Sequence, residues 1–424
     1  MFDTMGKVIV AHPGQQHSYR LASALKHAGL LDEYITTVYY RSPKSMLGIL
    51  ASVAPGDNGD RIRSRNNPDL ADADVKQFYA ARGFVETLIW RTNNPQKYHR
   101  FMERTRRQFG IKVAKEAMSR CVDAVVCYDV NALDCFTTLE KERPDILRVL
   151  DVSIAPRPYL RKVYEDIISL TGNHNLKIEN SLVWDRCEDE ARIKEIELAD
   201  YFLAPSDFVA NGLISLGAKS DSILKLPYGC NFSNKGFDRP AGIRDSVLEL
   251  LFVGQCNARK GMDVLADVME MPEMDSVRLT IAGKYDSSRE YIQRLLANSR
   301  VRMLGMVSRQ EVAKLCAESD AFIFPSAAEG MSLACLEAMG SGLPIVCTPN
   351  SGVSDLVLEG VNGYIVEPGD VEAVANAISQ LGSDILQCRS MGESAFRIAG
   401  GYTWANYELN AKKLFETILG QGDE

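Results

Sequence analysis

The sequence predicts an α/β protein with two doubly wound domains of parallel strands and helices that face a central cleft. Short apolar runs alternate with helical patterns along most of the chain, which is typical of parallel β-α-β layers. The alternation occurs in two series, and 424 residues are too many for a single hydrophobic core. We therefore expect a first domain at 1–232, a second domain at 233–402 and a terminal helix at 403–424. This last helix either stays with the second domain or crosses back to the first.

Four apolar runs in the first domain predict buried parallel strands. They are KVIVAH at 7–12, AVVCYD at 124–129, ILRVLD at 146–151 and YFLAPS at 201–206. A helix is expected near 18–28, where apolar residues recur on one helical face. The segment at 41–120 is long, charged and more helical than strand-like in pattern, so we interpret it as a helical insertion in the first domain.

A second series of strands begins after a polar loop at 227–240. Its runs are LELLFVG at 248–254, VRLTIAG at 277–283, VRMLG at 301–305, AFIFPS at 321–326 and LPIVCT at 343–348. Helical patterns separate them, and the domain boundary is expected near 228–245. Two such Rossmann-like sheets would bring the carboxyl ends of their strands to one cleft, the edge at which open α/β sheets bind ligands.

Composition and missing short motifs exclude several classes of protein. The chain is 46% hydrophobic, and no apolar run approaches the roughly 20 residues of a membrane span. The start MFDTMGKVIVAHPG lacks the pattern of a signal peptide, so a cytoplasmic location is expected. The ten cysteines form no CxxC pair and the five histidines no HxH or HExxH pattern, so neither a metal nor another cofactor is expected. No GxGxxG follows the first strand, which argues against a dinucleotide oxidoreductase, and nucleic acid is not an expected partner.

The stretch PSAAEGMSLACLEAMGSGLPIVCTP at 325–349 contains the most informative pattern. A strand ends before it, Gly330 allows the chain to approach a ligand closely, and a helix begins just afterwards. Helix starts present free N–H groups and a positive dipole end, which suit a phosphate. Glu329 and Glu337 flank this start and are suited to neutral sugar or ribose hydroxyls. The alternative is a helix-start acid and a solvated helical face.

A second motif, LFVGQCNARKGMDVL at 251–265, places two cations after a strand. The strand ends at Gly254, and Arg259 and Lys260 open the next helix. Two cations at a strand end can neutralise a diphosphate leaving group. A charged turn is the common explanation of such a short motif, but its position before the glutamate pair favours phosphate binding.

Together these motifs resemble the retaining glycosyltransferases of family 4, the glycosyl transferases group 1, which have the GT-B architecture. The second domain of that family has a strand ending in FVG, a KG pair that opens a helix, and an E-x7-E string leading into LEAMAxGxPVV. This chain has FVG at 252–254, KG at 260–261, Glu329 and Glu337 in EGMSLACLEAMGSGLPIV, and a similar later turn, VNGYIVEPGD, at 361–370. The resemblance covers roughly 190–385, and the first domain matches in layout only.

The resemblance implies transfer of a sugar from a UDP- or GDP-sugar to a hydroxyl of a glycan or lipid-linked acceptor, with retention at the anomeric carbon and without a metal. Glu329 would contact the donor sugar as a catalytic residue, and Glu337 would bind the ribose. The diphosphate would lie on Arg259, Lys260, Gly330, Met331, Ser332 and Leu333. The base would meet the backbone near Met306 and Val307.

The first domain offers candidates by position. Many family members place a histidine near the reacting sugar at the end of a first-domain strand, where this chain has Asp151, our second catalytic candidate. The N-terminal loop near donor or acceptor would contain Gly14, Gln15, Gln16 and His17. For His17, a polar helix-start role is the alternative.

The sequence departs from the family pattern, and two rival functions are open. Gln255 stands where family members often have arginine, and Arg259 is the candidate replacement. Asp72 and Asp74 fit the DxD metal motif of another glycosyltransferase fold, but they follow no apolar strand, and we interpret the match as chance. The rival functions are a sugar-nucleotide epimerase of the same fold and a non-catalytic partner of glycosyltransferases. The presence of Lys260 and both glutamates favours an enzyme.

The stretch from Lys97 to Arg120 predicts an amphipathic helix with a basic side. Its apolar positions are Met102, Phe109, Val113 and Ala117, and its basic ones include Arg100, Arg104, Arg107 and Lys115. Such a face would suit peripheral binding to anionic lipid at the cytoplasmic leaflet. The alternative is that its apolar side packs onto the first domain.

Overall fold

In this computed structural model, the described residues are 6–14, 17–42, 65–80, 95–231 and 247–420, with the single residues 48, 52, 63 and 82. Two parallel sheets with flanking helices form two domains, which confirms the predicted fold class. Gln15, Gln16 and much of the segment expected as a helical insertion lie outside the described residues.

The first domain is built on a parallel sheet with the order β3-β2-β1-β4-β5-β6-β7 in the described part of the chain. Its strands are β1 (Val8–Ala11), β2 (Leu31–Thr36), β3 (Val75–Gln77), β4 (Ala124–Tyr128), β5 (Leu147–Asp151), β6 (Tyr201–Ala204) and β7 (Ile223–Lys225). Its helices are α1 (Ser18–His27), α2 (Pro95–Arg120), α3 (Leu133–Glu142), α4 (Arg157–Thr171), α5 (Asn175–Glu179), α6 (Ser181–Trp184), α7 (Asp189–Leu198) and α8 (Asp207–Ile214). The central strands are buried on both faces, which is why they are continuous apolar runs.

The second domain has a parallel sheet with the order β10-β9-β8-β11-β12-β13. Its strands are β8 (Leu248–Val253), β9 (Val277–Ala282), β10 (Val301–Gly305), β11 (Ala321–Phe324), β12 (Ile345–Cys347) and β13 (Gly363–Ile365). The helices that follow the first domain are α9 (Met262–Glu270), α10 (Glu290–Ala297), α11 (Arg309–Glu318), α12 (Leu333–Met339), α13 (Val371–Ser383), α14 (Ile385–Ala399) and α15 (Trp404–Ile418).

Each sheet reverses its strand order at a central strand. In the first sheet, β1 pairs with β2 on one side and β4 on the other. In the second sheet, β8 lies in the same way between β9 and β11. The loops that leave β1, β4, β8 and β11 at their carboxyl ends therefore border the crevices in which this architecture binds ligands.

The segment at 41–120 differs from a purely helical insertion. Residues Val75–Gln77 form β3, which pairs with β2 at the edge of the first sheet. A strand of three residues is too short to show an apolar run. The helical expectation holds for α2, in which Phe109, Val113 and Ala117 are buried in the core of the first domain. The apolar side of the amphipathic helix thus packs inward at these positions.

The chain crosses between the domains twice, and the two crossings lie side by side. The N–H of Cys230 donates a 2.9 Å hydrogen bond to the carbonyl oxygen of Tyr402. A Cβ atom on Gly229 would lie 2.4 Å from the backbone of Thr403, so the crossings pack at glycine distance. After the second crossing, α15 packs against α1, with the Arg20 guanidinium 4.4 Å from the ring centre of Trp404. Among the described residues, no helix is both long enough and apolar enough to span a membrane.

Candidate functional site

The loop after β8 brings two cations against the segment after β11. Asn257 caps a short 3-10 helix by accepting a 3.1 Å hydrogen bond from the N–H of Lys260, and the same helix carries Arg259. Gly261 follows with a φ of +77°, and a Cβ atom there would lie 2.2 Å from the carbonyl oxygen of Pro325. This approach requires glycine, and it fixes both cations at the carboxyl end of β8.

A carboxylate from the neighbouring strand end binds both cations. Lys260 Nζ lies 2.6 Å from Glu329 Oε1, and Arg259 contacts the same oxygen through a guanidinium nitrogen. The Ser326 hydroxyl lies 3.3 Å from that oxygen. The side chains of Lys260 and Glu329 are only 14% and 13% exposed, so water screens this pair weakly.

The environment of Lys260 affects its charge in two opposing ways. Burial lowers the pKa of Lys260, and the negative charge of Glu329 counteracts this fall. The Nζ atom also lies 4.8 Å from the ring centre of Phe324, at cation-π distance. Lys260 is thus a desolvated cation held in place by an anion and an aromatic face, and a further anion would strengthen its charged form.

The backbone predicted to bind a diphosphate forms the start of α12. The Ser332 hydroxyl caps this helix by accepting a 3.3 Å hydrogen bond from the N–H of Cys335, and Leu333 is its first residue. Met331 is held in place by Tyr228, which lies in the segment that crosses between the domains. The N–H of Tyr228 donates a 3.2 Å hydrogen bond to the sulfur of Met331. The first turn, where backbone N–H groups lack helical partners, therefore begins directly after the cation cluster.

Gly330 lies at a close contact between the two domains. The expected close approach of a ligand to this glycine stays a prediction, and the structure shows that the glycine allows close approach of the first domain. A Cβ atom on Gly330 would lie 1.7 Å from the carbonyl oxygen of Ser153 in the loop after β5. The Ser206 hydroxyl, also in the first domain, donates a 2.6 Å hydrogen bond to the Gly330 carbonyl oxygen.

The residues predicted to bind the nucleoside lie farther along the same sheet edge. Met306 and Val307 directly follow β10, two strands away from β8. Met306 is 68% exposed, whereas Val307 is half-buried. Glu337 is exposed on α12. Burial raises the pKa of Cys230 to about 11, and the negative charge of Glu337 contributes to this rise. The carboxylate of Glu337 therefore lies near the interdomain crossing.

Asp151 and His17 form a hydrogen-bonded pair at the carboxyl end of the first sheet. His17 Nε2 lies 3.0 Å from Asp151 Oδ1, and the Tyr228 hydroxyl lies 3.3 Å from His17 Nδ1. Asp151 is only 3% exposed. Burial, with a contribution from the Asp151 charge, raises the pKa of Tyr228 well above its ordinary value, so this hydroxyl stays protonated. His17 is thus oriented by a carboxylate and by a residue of the crossing segment.

The rest of the N-terminal loop is only partly within the described residues. The N–H of Gly14 donates a 2.8 Å hydrogen bond to His12 Nδ1, and its carbonyl oxygen accepts one of 3.1 Å from the Thr36 hydroxyl. Gly14 is therefore tied to the first domain. Gln15 and Gln16 lie outside the described residues.

The loop after β4 contains a carboxylate that the sequence interpretation did not select. Burial, followed by the charges of Glu195 and Asp151, raises the pKa of Asp129 to about 6. The next residue, Val130, has a φ of +74°, which is strained for a β-branched side chain. Its N–H donates a 3.0 Å hydrogen bond to Glu195, which also accepts one from Ala132. A buried glutamate thus holds this loop in shape.

A second glutamate of the first domain reaches into the second. Glu179 Oε2 accepts a 2.8 Å hydrogen bond from the N–H of Ala258, the first residue of the 3-10 helix that carries the two cations. Its Oε1 accepts a 2.6 Å hydrogen bond from the Tyr291 hydroxyl. Nearby, the Asn173 amide donates a 2.8 Å hydrogen bond to Asp263. The segment between α4 and α6 therefore docks the first domain onto the second.

Asp129, Tyr228 and Glu179 were all missed at the sequence level. Asp129 follows an apolar strand, as Asp151 does, and the same rule would have found it. Tyr228 lies in a loop, and Glu179 lies in a five-residue helix; neither has a local pattern that distinguishes it from a surface residue.

In the part of the chain that the structure describes, no three His, Cys, Asp or Glu side chains converge in a way that could hold a metal ion. Asp72 and Asp74 lie in a 3-10 helix before β3. Asp74 lies 2.5 Å from the ammonium of Lys26, an ordinary ion pair of the first domain.

The two domains supply groups of opposite charge to the site. The second domain offers two cations and a helix start, which can stabilise a leaving group that develops dense negative charge. The first domain offers Asp151 with His17, and Asp129, at the ends of adjacent strands. The arrangement suits displacement of an anionic leaving group by a nucleophile held on the first domain.

The second domain is similar to known glycosyltransferases. Residues 248–384 match the family model described as Glycosyl transferases group 1. The chain is 28% identical over 224 residues to the sulfoquinovosyl transferase SQD2 of Arabidopsis thaliana, covering 49% of this chain and 42% of that protein. It is 31% identical over 215 residues to a D-inositol 3-phosphate glycosyltransferase of Corynebacterium urealyticum, covering 48% of this chain and 50% of that protein. The matched region thus spans half or less of these relatives.

Solved structures share the fold over the whole chain. The Anabaena protein Alr3699/HepE in complex with UDP-glucose has a TM-score of 0.58 and 15% identity, covering 97% of this chain and 99% of that one. At this identity the likeness concerns the fold, which is the two-domain GT-B architecture expected from the sequence.

Proposed function

We propose that the chain is a group 1 glycosyltransferase and that it transfers a sugar from a nucleotide-diphosphate sugar to an acceptor hydroxyl in glycan, polysaccharide or glycolipid synthesis. The observation that carries this proposal is the cluster of Arg259 and Lys260 on Glu329, beside the start of α12. The cluster supplies positive charge where a diphosphate would leave. A UDP- or GDP-sugar is the proposed donor, and the UDP-glucose bound to the HepE protein supports a uridine nucleotide.

In the proposed reaction, the diphosphate takes the place of Glu329 on the two cations. Lys260 and Arg259, with the N–H groups of the first turn of α12, stabilise the negative charge that develops on the leaving oxygen. The displaced carboxylate of Glu329 then accepts hydrogen bonds from the donor sugar. Glu337 binds the ribose, and the backbone at Met306 and Val307 meets the base.

The first domain supplies the opposite face of the sugar. Asp151 is nearly inaccessible and already bound to His17, so we assign it a positioning role through the imidazole. His17 is then the group that faces the donor sugar or acceptor. Retention at the anomeric carbon and independence of metal are part of the proposal. Charge neutralisation by Arg259, Lys260 and the helix start supports metal independence.

The proposal is tested by a donor screen. The protein is incubated with UDP-, GDP- and ADP-sugars, and the melting temperature and slow hydrolysis of the donor are measured. At least one donor should raise the melting temperature and be hydrolysed, and Lys260→Met should weaken both effects. Lys314→Met, which changes an exposed lysine on α11, is the matched control. If no sugar nucleotide binds, or Lys260→Met binds as the wild type does, the proposed function is wrong.

We also propose that the enzyme works on a lipid-linked acceptor at the cytoplasmic face of a membrane. Arg104, Arg107 and Lys115 are exposed on α2, and Arg107 is 74% exposed. Because Phe109 and Val113 of the same helix are buried, binding would depend on charge and not on insertion.

Vesicle binding tests this placement. The wild type should bind anionic vesicles at low salt, and binding should fall steeply as salt rises. Changing Arg104, Arg107 and Lys115 together to serine should weaken it. A protein that ignores anionic vesicles at low salt would make a soluble acceptor the better proposal.

A further inference from the structure

A cavity of about 460 Å³ extends into the first domain from the site. It lies beneath the segment after β5, between α4, α6 and α7. Apolar side chains form most of its wall, among them Leu150, Val152, Ile154, Leu160, Val183 and Ile196. A volume of this size is typical of pockets that enclose a small organic ligand.

The cavity reaches both halves of the proposed active site. Asp129, at the carboxyl end of β4, forms part of its wall on the first domain. Arg259, which contacts Glu329, forms part of the wall on the second domain. A molecule inside it would therefore lie next to the cations proposed for the donor diphosphate.

One wall residue has an unused polar group. The Tyr164 side chain is fully buried, and its hydroxyl has no hydrogen-bond partner among the described residues. Burial raises the pKa of Tyr164 to about 12, so the hydroxyl keeps its proton. The charges of Arg259 and Glu329 both act on it, which locates it at the end of the cavity that faces the donor cluster. A buried hydroxyl without a partner is costly unless a ligand completes it.

We propose that this cavity binds the acceptor, and that the acceptor is an amphiphile whose reacting end carries hydroxyls and whose adjoining part is an aliphatic chain or an aromatic ring. This inference rests on the proposed glycosyltransferase function and names its acceptor class. The hydroxyl end lies between Tyr164 and Arg259. The apolar part fills the space lined by Leu150, Leu160 and Ile196.

The wall also includes six charged side chains, namely Asp129, Arg157, Glu179, Arg192, Glu195 and Arg259. Hydroxyl groups of an acceptor can bind to these side chains, whereas a hydroxyl group placed against Leu150, Leu160 and Ile196 would be buried without a partner. An aliphatic chain gains free energy from each methylene group removed from water, which corresponds to about a fourfold increase in affinity per methylene. The preference should therefore rise with chain length until the cavity is full.

The test uses n-alkyl β-D-glucosides from methyl to hexyl, with the dissociation constant measured by calorimetry on the full-length protein. We expect the dissociation constant to fall about fourfold per methylene. Leu160→Trp should abolish this dependence by filling the cavity. Leu170→Trp lies on the same helix but at a position that is 86% exposed, and it should behave as the wild type does.

A milder variant guards against misfolding of Leu160→Trp. Tyr164→Phe removes one oxygen, and it should weaken binding of the hexyl glucoside about fivefold while leaving the dependence on chain length intact. A wild type that binds and hydrolyses a sugar nucleotide but shows no dependence on alkyl length would overturn the acceptor class alone. If alkyl glucosides bind as expected and no sugar nucleotide is used, the cavity is an apolar site and the inference of an acceptor fails together with the proposed function.

Discussion

Gly330 and Ser153 belong to different domains, and a Cβ atom on Gly330 would lie 1.7 Å from the carbonyl oxygen of Ser153. The two domains can approach each other this closely only because residue 330 has no Cβ atom. The hydrogen bond from Ser206 to the Gly330 carbonyl oxygen depends on the same approach.

Gly330→Ala should therefore keep the domains apart. A displacement of about 1 Å at the reacting groups is expected to lower kcat by about 10²-fold. Steady-state turnover measures the loss, and solution scattering measures the opening. Gly382→Ala on α13 is the control, because the added methyl group would meet no atom closer than 3.7 Å. Normal turnover in Gly330→Ala would show that the contact is not needed in the reacting state.

Glu329→Gln and Lys260→Met should each lower kcat by about 10²–10³-fold, as expected for the loss of one preorganised charge. Turnover with the donor identified in the screen measures the effect, and Lys314→Met again serves as the control. Circular dichroism reports whether the fold survives. Near-normal turnover in either variant would remove that residue from the catalytic assignment.

The ion pair also predicts a pattern in stability. Removal of the Glu329 carboxylate leaves Arg259 and Lys260 without their shared anion, and Lys260 is largely buried. Removal of the Lys260 ammonium leaves Glu329 still paired with Arg259. In urea unfolding, Glu329→Gln should therefore cost more free energy of unfolding than Lys260→Met. The double variant should cost less than the sum of the two single changes, since neighbours that interact are not additive. Additive costs would mean that the pair contributes nothing in solution.

Asp129 predicts a pH-dependent change in stability. Its pKa is about 6 in the folded protein against an ordinary value of 3.8, so folding is favoured by the protonated form. The contribution of Asp129 to the free energy of unfolding is fully present below about pH 4. It is lost as the pH rises through 6 and stays lost above that value. Asp129→Asn should remove this loss, raising the free energy of unfolding by at most roughly 3 kcal/mol at pH 8 and by little at pH 4. A gain that is equal at both pH values would exclude the proposed titration.

Activity should persist in excess EDTA. Arg259, Lys260 and the start of α12 already supply positive charge at the place where, in our proposal, the diphosphate would leave. Turnover is measured with and without the chelator at a fixed donor concentration. Complete loss with rescue by Mn²⁺ or Mg²⁺ would mean that a metal neutralises the diphosphate.

The sequence was sufficient for the two sheets because their central strands are buried on both faces and form continuous apolar runs, such as VRLTIA in β9. The edge strands β3, β7 and β13 have three residues each and carry no such signal. They were missed for that reason, and the stretch at 361–370, which contains β13, was interpreted as a turn. The interior strand β2 was missed as well, because its sequence LDEYIT contains Asp32 and Glu33 and forms no continuous apolar run.

The site was predictable where its chemistry is local. Arg259, Lys260 and Glu329 were selected because each lies directly after a strand or at a helix start. Their shared contact joins positions about 70 residues apart, which no spacing rule provides. At Gly330 the sequence predicted close approach of a ligand, and that stays a prediction. The contact with the Ser153 carbonyl oxygen involves the other domain, and a pattern within one domain does not identify it.

Glu179 connects the geometry of one substrate site to the position of the other domain. Its carboxylate binds the amino end of the 3-10 helix that carries Arg259 and Lys260, so these cations are arranged by a group that the first domain supplies. If a ligand strengthens this contact, the contact in turn strengthens binding of that ligand, because the coupling between two equilibria is reciprocal. Donor and acceptor would then bind cooperatively, and the order in which they add to the enzyme would be governed by the interface between the domains.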